Sequence, residues 1–94
     1  SYTCILDKAL WDEWLLRLKS APLFAFDTET TSLNPREAEL VGMSFAWSAG
    51  VAAYVPLGHD YEDAPTQLSR DYVLKTLKPV LEDYNIKKVG QNIK

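Results

Sequence analysis

Asp27 and Glu29 stand two positions apart at the end of the apolar run Leu23-Phe24-Ala25-Phe26. Pro22 bounds that run on one side and polar residues bound it on the other, so it reads as a strand buried on both faces. Side chains alternate along a strand, so positions 27 and 29 share a face. Two carboxylates held together there repel one another and are costly to desolvate. A cation between them answers both problems, and hard carboxylate oxygens suit Mg2+ or Mn2+. The plainer alternative is a solvated strand end with ordinary surface acids. The apolar run before the pair and Thr30-Thr31-Ser32-Leu33 after it weigh toward the metal.

The elements that must position this pair follow from patterning. Tyr2 to Leu6 is short and β-prone, as an edge strand is. Asp7 offers an N-cap to an amphipathic helix over Lys8–Lys19, in which Leu10, Trp11, Trp14, Leu15 and Leu18 form a stripe for the sheet. Ser20-Ala21-Pro22 ends it. Thr30 to Glu37 is a loop. Leu40–Trp47 and Val51–Val55 read as strands joined at Ser48-Ala49-Gly50, with Gly50 taking a positive φ, and with the first strand they make an antiparallel meander. Gly58 to Gln67 is an irregular connection.

Ser69 is the N-cap of a second helix with Val73, Leu74, Leu77, Val80, Leu81 and Tyr84 inward; Pro79 is expected to kink or split it near Lys78. Ile86–Val89 is a fourth strand, placed parallel to the first by a crossover. The fold class is therefore α/β: a mixed sheet with flanking helices.

The 94 residues suffice for one small domain, and 47% hydrophobic with 24% charged residues is ordinary globular composition. A net charge of −3 gives no general basic surface, so a phosphate-bearing substrate must be held locally, by metal ions and chosen donors. The single cysteine, Cys4, excludes an internal disulfide and reads as a small buried apolar residue. With no apolar run of spanning length and no signal peptide, the expected setting is the cytosol, with no membrane partner. His59 reads as a loop-ordering residue, Asp60, Glu62 and Asp63 as a solvated face, and Lys87 and Lys88 as edge charges that also suit a phosphate backbone.

Phe24-Ala25-Phe26-Asp27-Thr28-Glu29-Thr30 with Ser32-Leu33 resembles the first exonuclease motif of family A DNA polymerases of the bacterial polymerase I type. Val51 to Pro56, His59-Asp60-Tyr61, Asp63-Ala64-Pro65, Leu77 to Asp83 and Lys88-Val89-Gly90-Gln91-Asn92 are similar to that family in the same order. The resemblance covers nearly the whole chain. It implies a ribonuclease-H-like 3′–5′ proofreading exonuclease domain, of which residues 1–94 are a part, with the polymerase domain of the same parent chain as neighbour. The setting implied is bacterial, cytoplasmic and nucleoid-associated.

The resemblance implies roles at matching positions. Asp27 ligates both of two divalent ions, Mg2+ or Mn2+, and Glu29 ligates one and orients the attacking water. Thr30 and Leu33 contact the 3′-terminal nucleotide of single-stranded DNA. Gln91, Asn92 and Lys94 approach the strand from the start of the second motif. Two ions about 4 Å apart serve such a displacement. The family's second-motif aspartate and its third motif fall beyond Lys94, so the chain alone is expected to be inactive and to hold no metal by itself. Two other functions compete: a catalytically silent scaffold, against which retention of both acids argues, and an RNA-directed exonuclease of the same fold.

Overall fold

Asp7 starts the first helix as the sequence requires: its Oδ1 accepts from Leu10 N at 2.8 Å. The computed structural model describes residues 2–32, 34, 36–48, 50–58 and 66–91, with the backbone only at Ser48 and Gln91. Its elements, in chain order, are β1 (Tyr2–Cys4), α1 (Lys8–Ser20), β2 (Phe24–Thr30), β3 (Leu40–Ser48), β4 (Val51–Pro56), α2 (Arg70–Glu82) and β5 (Lys88–Gln91). They form one five-stranded sheet in the order β1-β4-β3-β2-β5. β2, β3 and β4 are the antiparallel meander, and β5 lies parallel to β2. The outer strand β1 lies parallel to β4. This mixed sheet with two helices is the α/β arrangement expected of a ribonuclease-H-like domain. Gly50 turns the β3–β4 hairpin at φ 80°, a conformation that favours glycine.

The two faces of the sheet differ in kind. Phe24 and Phe26 alternate onto the side covered by the helices, where they join Met43, Phe45, Ala53 and Val55 in the core. Trp11 of α1 stands 5.8 Å from Phe45 between ring centroids, and its Nε1 donates to Thr76 Oγ1 of α2 at 2.9 Å. Trp14 meets Trp47 at 4.9 Å, with the Arg17 guanidinium over both rings. The opposite side carries small residues in register: Ala25 beside Ala46 and Ala46 beside Ala52.

Some expectations from the sequence are corrected. The run is not buried on both faces: Leu23, just before β2, is 49% exposed, and Ala25 and Asp27 of β2 are half-buried. Among the described residues only one face receives helices, so an apolar run here marks a strand with one aromatic and one small-residue face. Cys4 is exposed rather than buried, because it sits on an edge strand and pairs with Tyr54, away from the Thr3–Ala53 row that faces the core. Leu74 is 40% and Tyr84 88% exposed. Tyr84 falls outside α2, in a turn where Asn85 N donates to Asp83 Oδ1 at 2.9 Å. Pro79 does not split α2, which runs on to Glu82. The proline itself is exposed while Leu77 and Val80 on either side of it are buried, so packing holds the last turn in place.

Helix α2 is capped by Ser69, whose Oγ accepts from Tyr72 N at 3.3 Å. Tyr72 in turn donates its hydroxyl to Asp12 Oδ1 of α1 at 2.6 Å, and Lys8 lies over its ring. The hydrogen bond to Asp12 raises the Tyr72 phenol above its ordinary value of 10.0. A raised folded-state value means the contact adds stability below pH 10 and loses it as the pH climbs from there through the raised value. Tyr72→Phe is therefore expected to lower the denaturation midpoint at neutral pH, with the gap from the parent closing in alkaline buffer. Urea titrations at a series of pH values measure this; a gap independent of pH contradicts it.

Candidate metal and nucleic-acid site

The site is built on the side of the sheet opposite the aromatic core. Asp27 and Glu29 both project there from β2, about 7 Å apart along the strand. Asp27 is half-buried and Glu29 is exposed at the strand end. Register fixes their neighbours: Asp27 pairs with Ser44 of β3, which pairs with Tyr54 of β4, and Glu29 pairs with Gly42. A shallow groove of ≈ 280 Å³ runs beside Asp27, lined by Tyr2, Ala25, Ser44, Ala46 and Ala52 among others. Ala25, Ser44, Ala46 and Ala52 give it a low floor beside Tyr2, so an extended ligand can approach the backbone closely there.

A second feature joins β4 to the acids. The Tyr54 hydroxyl donates to Glu29 Oε1. Tyr54 is two residues along from the position opposite Gly42, a diagonal that an aromatic ring can span. A Cβ at Gly42 would stand 2.0 Å from the Tyr54 hydroxyl oxygen, so the ring passes through the space the glycine leaves. Burial, and after it the bond to Glu29, push the Tyr54 phenol well above its ordinary value, which keeps it a donor.

The other expected residues fall out as follows. Thr30 closes β2 just after a register shift between Glu29 and Thr30, and its Oγ1 donates to Ser32 O at 3.1 Å. Such irregularities re-aim side chains at strand ends. Beyond it Thr31 N donates to Glu39 O at 3.0 Å, and Glu39 N to Thr31 Oγ1 at 3.1 Å, which ties the loop's ends together. Gln91 pairs in register with Asp27, so the start of the second motif lies beside the first acid. Leu33, Asn92 and Lys94 lie outside the described residues, as do His59, Asp60, Glu62 and Asp63. Lys88 is not directed at a substrate: its Nζ donates to Asp83 O at 2.5 Å and Leu81 O at 3.4 Å, at the end of α2.

The family model described as 3′-5′ exonuclease matches residues 2–94. The chain belongs to the 3′-5′ exonuclease family. DNA polymerase I of Pseudomonas aeruginosa is 55% identical over 93 residues, which are 99% of this chain and 10% of that protein. DNA polymerase I of Rhizobium leguminosarum is 38% identical over 111 residues, covering 100% of this chain and 11% of its own length. That of Chloroflexus aurantiacus is 37% identical over 92 residues, 98% of this chain and 9% of its own. The chain thus spans about a tenth of the length of these curated relatives. It corresponds to part of the 3′-5′ exonuclease domain of DNA polymerase I.

Within this exonuclease domain, Tyr54 and Gly42 are the residues that sequence reasoning passed over. A signal existed: a glycine inside a strand pattern, where nothing turns, often marks close approach of another group. Gly42→Ala is expected to destabilise the protein by about 1–3 kcal/mol, the usual consequence of forcing atoms into a filled space. Adding Tyr54→Ala to Gly42→Ala should recover most of that loss, since the two clashing groups would no longer meet. Chemical denaturation of the two single variants and the double variant measures the coupling; strictly additive losses contradict the contact.

Proposed function

We propose that this chain carries the first half of a divalent-metal-dependent exonuclease site that removes nucleotides from DNA 3′ ends during proofreading. The observation that carries this reading is the placement of Asp27 and Glu29 on one open, small-residue face of the sheet, with Gln91 in register beside Asp27. An oxygen-only pair fits a hard cation that keeps several waters and takes further ligands from substrate phosphates. Among the described residues no third His, Cys, Asp or Glu joins the pair. Among those residues the ligand set for two ions is incomplete, which supports the reading that the 94 residues by themselves are inactive.

Asp27 and Glu29 would hold the divalent ions, and Glu29 would also orient the attacking water. When bound, such ions stabilise charge on the phosphodiester and its leaving oxygen and make water a better nucleophile at neutral pH. Thr30 and Leu33 hold the terminal nucleotide, Leu33 as an apolar wedge beside the base. Gln91, Asn92 and Lys94 guide the single strand, which sites of this kind bind by stacking and local contacts. The groove beside Asp27, floored by Ala25, Ala46 and Ala52, admits the nucleic-acid backbone. Residues 1–94 act as part of one exonuclease domain within a chain that also carries a polymerase domain, in the bacterial cytoplasm at the nucleoid.

In the full-length protein, Asp27→Ala is expected to lower 3′ mononucleotide release by at least about a thousandfold, corresponding to about 4 kcal/mol of transition-state stabilisation. Primer extension should persist, and chelation should abolish release by the parent protein. Matched single-stranded DNA and RNA substrates complete the assay. Preference for RNA, or release that survives both Asp27→Ala and chelator, overturns the reading.

A further inference from the structure

Glu29 is exposed at the end of β2, where a glutamate ordinarily samples many rotamers. Here one of its oxygens accepts a hydrogen bond from a phenol that arrives from two strands away. The delivery needs a particular gap. A Cβ at Gly42 would meet Tyr54 at three ring and hydroxyl atoms, 2.0, 2.5 and 2.9 Å away. Gly50 is the positive-φ glycine of this chain, so Gly42 is not required by its own backbone conformation. What position 42 supplies is room.

We propose that Tyr54 is a positioning residue for Glu29, its hydroxyl reaching through the gap at Gly42 to hold the carboxylate on the face it shares with Asp27. The inference rests on the reading of Asp27 and Glu29 as metal-holding acids and adds to it the group that orders one of them. Partners of this kind fix a ligand's orientation before the ion arrives, and their loss weakens metal affinity or activity by about tenfold to a hundredfold. A phenol donating to a carboxylate makes a charge-assisted bond, among the stronger hydrogen bonds available. The ring also covers Gly42, so the residue that orders Glu29 is itself held by packing. Tyr54 does not touch the substrate in this scheme; it acts through Glu29.

Tyr54→Phe in the full-length protein tests the role, since it removes the hydroxyl and keeps the ring. Four quantities are read: Mn2+ affinity without DNA, by titration calorimetry; kcat and KM for mononucleotide release from a single-stranded oligonucleotide; and the thermal unfolding midpoint. The expected result is Mn2+ affinity and kcat each lower by about tenfold or more, with KM for the oligonucleotide within about twofold of the parent. In a Glu29→Gln background the same Tyr54→Phe change should lower kcat no further, because the two residues act as one unit. Unchanged Mn2+ affinity and kcat, with only the unfolding midpoint shifted, overturn the proposal and leave Tyr54 as packing. A further full loss in the Glu29→Gln background also overturns it. Asp27→Ala is the control that separates the layers. If Asp27→Ala abolishes release while Tyr54→Phe changes nothing, the inference about Tyr54 alone fails. If Asp27→Ala leaves release intact, the site reading fails and the Tyr54 role falls with it.

Discussion

Packing of Phe24 and Phe26 against Phe45 and Trp11 decides which way every other side chain of β2 must point. The Phe26–Phe45 pair is in register, and Phe24 lies 6.2 Å from Phe45 between ring centroids. A slip of one residue would bring these aromatics to the open side and drive Asp27 and Glu29 into the core. Apolar burial and the desolvation of charge therefore favour the same register. The aromatic layer orients the acids without touching them.

The open face is built on the opposite rule. Ala25, Ala46 and Ala52 form one row, and Ser44 and Gly42 stand opposite the acids. Large side chains would keep an extended polymer away from the sheet; these do not. Tyr2 ends the alanine row on the edge strand, and Tyr54 stands in the neighbouring row of Asp27 and Ser44, its hydroxyl directed along the sheet to Glu29. A glycine inside a central strand lowers stability by about 0.5–1 kcal/mol relative to alanine, so the space at Gly42 comes at a real conformational disadvantage.

Much of this was legible in the residue order. The Asp7 and Ser69 caps, the Gly50 turn, the meander and the same-face placement of Asp27 and Glu29 all follow from local rules with a period of two or of 3.6. The parallel pairing of β5 with β2 was legible too, because a helix intervenes. Other features depend on registers that no local pattern contains. The Tyr54–Glu29 bond spans 25 positions in sequence and three strands in space. The exposure of Cys4 depends on which face of an edge strand lacks a helix. Tyr84 fits the spacing of the α2 stripe and misses it only because the helix ends at Glu82.

Lys88 gives the end of α2 an influence that its position alone does not suggest. Its ammonium grips the carbonyls of Asp83 and Leu81, and the same residue pairs with Phe24 at the start of the β2–β5 ladder. Three positions later that ladder reaches Gln91 opposite Asp27. The helix terminus is thus tied through Lys88 to the strand whose far end approaches the acids. Sequence drift in a surface turn remote from any nucleotide can in this way detune the spacing between the two motifs.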